Sequence, residues 1–129
     1  TMESMFNNCD SLTNLDLSSF ETTSLENIRY MFEEINSSLI IDLRNADFSN
    51  VIDMFAMFNC AGFNSEKFDV VITINCPYVE DYRSIFSNVA MKGSSKITVN
   101  YTEETETLVD QMIATKSSNS NVVKGVQVD

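Results

Sequence analysis

The chain has 129 residues, 43% of them apolar and 21% charged, which is enough apolar material for one domain with a buried core. Nineteen carboxylates against eight basic side chains give a net charge of −11. That balance repels phosphate backbones and anionic lipid, so neither nucleic acid nor a membrane surface is the expected partner. No run approaches the ~18 apolar residues that cross a bilayer, and no signal-peptide pattern is visible, so no membrane insertion is expected.

Four versions of one pair organise the chain: Met5-Phe6, Met31-Phe32, Met57-Phe58 and Ile85-Phe86, at spacings of 26, 26 and 28 residues. Leu25, Val51 and Val79 stand six residues ahead of the later pairs, and Met2, Ile28, Met54 and Tyr82 stand three ahead of each. Apolar residues at i, i+3, i+6 and i+7 read as one face of a short helix. Thr23 with Glu26, and Asn50 with Asp53, resemble capping boxes, and Pro77 suits a first helical position. Between the helices lie apolar–polar–apolar triplets: Leu15-Asp16-Leu17, Ile41-Asp42-Leu43, Phe68-Asp69-Val70, Ile97-Thr98-Val99 and Val126-Gln127-Val128. Their alternation predicts short strands with two side chains inward and one outward.

A strand, a turn and a helix cannot bury an apolar face alone, so such units must stack. The expected fold is α/β: a right-handed solenoid over residues 1–129, a short parallel sheet on one side and short helices on the other. About four repeats of 26–29 residues are expected, with 96–129 as a C-terminal capping unit. In that unit Thr102 is the expected N-cap of a helix with Glu103, Glu104 and Glu106 near its positive end. Leu108, Val109, Met112 and Ile113 form its buried face, while Glu106 and Asp110 face water. The apolar start "TMESMF" reads as the inside of a longer array rather than as a polar cap.

The three cysteines are too few for a disulfide framework, and no CxxC or histidine completes a zinc site. Cys9 aligns with Ile35, Ala61 and Val89 and is expected in the core. Cys60 belongs two layers away, roughly 10 Å, beyond the ~7 Å between Cα atoms that a disulfide spans. There is no histidine, nucleophile elbow or phosphate-binding loop, so no catalytic residue, metal or cofactor is assigned. The outward strand positions are the candidate binding face: Asp16, Asp42, Asp69, Thr98 and Gln127 in a row, with Ser18 and Arg44 beside it. The row is acidic at one end, which suits a basic partner.

"MFNNCDSLTNLDLSSFETTSLENIRYMF" resembles the Met-Phe type of BspA-like leucine-rich repeat, and "IDL", "NC" and "FDV" continue the likeness. The resemblance implies a leucine-rich-repeat fold and a place in bacterial cell-surface or secreted proteins. It also implies a non-enzymatic adhesion or binding module that recognises a protein or glycan. An intracellular acidic inhibitor or immunity-type protein built on the same repeat is the alternative reading.

Overall fold

The computed structural model describes residues 1–17 and 20–128. These residues form a small α/β structure with one four-stranded sheet and one helix among them. Strands β1 (Ile40–Leu43), β2 (Asp69–Ile74), β3 (Lys96–Tyr101) and β4 (Val122–Gln127) pair in that order, all parallel. Leu15 adds an isolated parallel bridge to Ile41, extending the ladder by one residue toward the N-terminus. Alternation does the sorting: Ile41, Leu43, Val70, Ile72, Ile74, Ile97 and Val99 are buried, each at most 1% exposed.

The expected short helices before the Met-Phe pairs do not form. Helix α1 (Glu106–Ala114) is the only α-helix among the described residues. Each repeat segment instead folds into successive turns with a positive φ every fourth residue: Ser4 and Asn8, Tyr30 and Glu34, Ala56 and Cys60, Ser84 and Asn88, all between 53° and 60°. Met5, Met31, Met57 and Ile85 each donate an N–H to the residue three before, at 3.2–3.4 Å. A positive φ at the third position of such a turn is the type II pattern. It breaks the i→i−4 ladder while leaving the apolar side chains on one side, which is why the periodicity resembles a helix.

The alternate N–H groups, which a helix would use internally, reach the next segment. Met2, Ser4, Phe6 and Asn8 donate to Asn27, Arg29, Met31 and Glu33 at 2.9–3.1 Å. Ile28, Tyr30, Phe32 and Glu34 donate to Asp53, Phe55, Met57 and Asn59 at 2.8–3.0 Å. Met54, Ala56, Phe58 and Cys60 donate to Asp81, Arg83, Ile85 and Ser87 at 2.8–3.3 Å. In these three segments the alternate backbone donors are thus satisfied without helix or sheet.

Between sheet and turns lies one core. Phe6, Phe32, Phe58 and Phe86 stack ring on ring, with centroids 5.5, 5.4 and 6.2 Å apart and planes within 14°. Met31 and Met57 are fully buried beside them, but Met5, in the first segment, is 44% exposed. Cys9, expected in the core, is likewise only half-buried, whereas Ile35, Ala61 and Val89 are fully buried as expected. All three cysteines are free thiols, and burial pushes the Cys76 thiol up to about 12. At Gly62 (φ +67°) the left-handed backbone lies against Phe68, where a Cβ would come within 2.7 Å of the ring.

The C-terminal unit closes the core with some corrections. Thr105, not Thr102, occupies the N-cap position of α1. Its hydroxyl caps nothing in the helix: it donates to the Ile74 carbonyl at 2.6 Å and accepts the Thr102 N–H at 2.8 Å. Val109 and Met112 are buried, and Leu108 and Ile113 pack partly against the core. Glu106 and Asp110 do not simply face water. Both grip the Lys124 ammonium, at 2.7 and 3.0 Å, and these contacts hold its pKa above the ordinary lysine value. In β4 the expected inward Val126 is 64% exposed. A register shift lies between Val99, which pairs with Lys124, and Tyr101, which pairs with Gln127. The extra residue is a bulge, and it turns the side chains after it to the other face. Asn100 fixes the bulge by accepting the Val126 N–H at 2.9 Å, and Gly125 leaves room for that amide.

The capping boxes also resolve differently. Thr23 donates its N–H and hydroxyl to Glu21, Asp53 accepts the Phe55 N–H, and Asn50 donates to the Thr23 carbonyl of the preceding segment.

Candidate functional site

The outward face of the sheet is ordered by register, and register corrects the expected row. Leu15 bridges Ile41, which places Asp16 beside Asp42. Asp42 then pairs with Val71, Val71 with Thr98, and Thr98 with Val123. Asp69 stands one row lower, between Ile40 and Lys96, and Gln127 lies opposite Tyr101 at the far corner. Ser18 lies outside the described residues. The proposed row of three aspartates is therefore a pair, Asp16 and Asp42, followed by Val71, Thr98 and Val123. The triplet "FDV" misled because β2 is six residues long, and its equivalent of Ile41-Asp42-Leu43 is Val70-Val71-Ile72.

Charge on this face is also less acidic than its composition. Arg44 makes a bidentate pair with Asp42, Nε to Oδ1 at 3.0 Å and Nη2 to Oδ2 at 2.8 Å, and its backbone N–H adds a third bond at 3.1 Å. The Arg44 side chain, and then its N–H, hold the Asp42 carboxyl below its usual range. An ion pair of this geometry is locally neutral, so it offers little attraction to a basic partner.

Two concavities flank the pair. A small one of about 200 Å³ is lined by Asp16, Asp42, Leu17, Leu43 and the exposed Phe20. A larger groove of about 780 Å³ runs along the C-terminal ends of the strands, between the 44–49 loop and the Val126–Val128 end of the chain. Its floor holds Thr73 and Asn100, which pair across β2 and β3, with Asn75 and Thr102 beyond them. Asn75 holds the loop in place: it accepts the Phe48 N–H at 2.9 Å and donates to the Ala46 carbonyl at 3.2 Å. Of the expected site residues only Arg44 reaches this groove. The signal that could have located it is the long alternation of "DVVITI" and "KITVNY", which outlasts the assigned triplets.

The turn side carries a second cluster. The Phe55 ring lies between the Arg29 and Arg83 guanidinium groups, 5.0 and 5.2 Å from its centroid, and meets Tyr30 edge-on at 5.3 Å. Arg83 pairs with Asp81 at 2.8 Å, and Arg29 approaches Asp53 at 3.6 Å. Among the described residues no group of three or more acidic or sulfur side chains is placed to hold a metal ion, and no helix is long and apolar enough to cross a membrane.

The family described as "Mycoplasma protein of unknown function, DUF285" matches residues 1–98. The chain belongs to the DUF285 family. The DUF285 match covers the repeat segments, β1, β2 and the start of β3, while α1 and β4 lie beyond it. Comparison with curated proteins and with solved structures gave no match.

Proposed function

We propose that this DUF285 chain is a non-enzymatic binding module. In this reading it is a leucine-rich-repeat-like, right-handed solenoid of the BspA type, displayed on a bacterial surface or secreted, which recognises a protein or glycan through its outward sheet face. The solenoid part is supported by hydrogen bonds that join successive segments at regular offsets of 25 and then 27 residues and by the phenylalanine column. Parallel strands joined by such crossovers are right-handed in nearly all proteins.

The binding part rests on one observation. Alternate strand residues are consumed by the core, yet the row Asp42, Val71, Thr98 and Val123 is left half-exposed or exposed on the parallel sheet. A surface built this way is free to change without cost to folding. The test is a screen of the purified chain against a glycan array and a panel of purified extracellular proteins, with two variants. Thr98→Lys at the centre of the sheet face should abolish a hit, and the turn-side double change Arg29→Ala/Arg83→Ala should leave it intact. The reverse pattern would discard the sheet-face reading.

A further inference from the structure

We draw no further inference here: the strongest candidate, the open edge of the first turn segment, where Met5 is 44% exposed, Phe6 and Cys9 are half-buried and the Glu3 and Met5 carbonyls accept no N–H among the described residues, carries nothing because nothing in the structure shows what covers it.

Discussion

Glu34 illustrates what a single residue does in this fold. It stands at φ 59°, in a region that costs an L-residue roughly 1–2 kcal/mol, and its side chain is exposed. The position is imposed from outside: the Glu34 N–H must reach the Asn59 carbonyl, 2.9 Å away in the next segment. Asn8 is the equivalent residue one segment earlier, at the same φ of 59°, and asparagine tolerates it far better. Glycine would remove the strain at either site but adds about 0.4–1 kcal/mol of unfolded-chain entropy. Glu34→Gly should therefore stabilise by up to about 1 kcal/mol, and Asn8→Gly should be neutral or slightly destabilising. Urea unfolding of the two variants beside the native chain measures the difference. Equal effects would mean that the left-handed turns are not as described. Nothing in the sequence announces these eight positions. They carry Ser, Asn, Tyr, Glu, Ala and Cys rather than the glycine that a type II turn usually advertises.

At the level of elements, the phenylalanine column and the sheet depend on each other. Phe32 is fully buried with a ring on each side, at 5.5 and 5.4 Å, whereas Phe6, half-buried, stacks on one ring only among the described residues. Phe32→Ala should cost about 3–5 kcal/mol through the cavity it leaves, and Phe6→Ala clearly less, as read from thermal or urea melts. Similar losses at both sites would show that the second stacked ring and the deeper burial of Phe32 add little. This part of the fold was legible. The return of the Met-Phe pair locates Met31, Phe32, Met57, Phe58, Ile85 and Phe86 in the core, though not Met5 or Cys9, and "ITV" at 97–99 reads as a strand with Thr98 outward. The helix reading failed because a run of type II turns and a short helix share nearly the same apolar spacing. Only backbone φ distinguishes them. The Asp69 placement failed for a different reason. A three-residue triplet cannot report register once β2 doubles that length, and Phe68 is buried just as Val70 is. The Val126 placement failed because the bulge is set by the Asn100 side chain, a contact 26 residues away in sequence.

At the scale of the whole molecule, charge sets the conditions under which the fold is most stable. Nineteen carboxylates against eight cations leave strong self-repulsion at neutral pH, and the isoelectric point lies near 4.2. Acidification from pH 7 toward 5 should relieve that repulsion and raise stability. A second group of carboxylates works in the opposite direction. Asp42 and Asp81 are held below their usual range by hydrogen bonds from Arg44 and Arg83, and Glu21 and Asp47 by those from Thr23 and Ser49. A carboxyl with a depressed folded-state pKa contributes stability that is fully present above its unfolded value of about 3.9–4.3. That contribution is lost as pH falls through the lower folded value, when the turns lose the acceptors that hold their N–H groups. The two effects meet between pH 4 and 5. The melting temperature should rise from pH 7 to about 5 and drop below about 4. Added salt should raise it at pH 7, by screening over about 8–10 Å, and have little effect near pH 4.5. A differential scanning series across pH 3–8 at two ionic strengths tests this. A melting temperature that only falls on acidification would mean that self-repulsion is minor and that the paired carboxylates alone govern the profile.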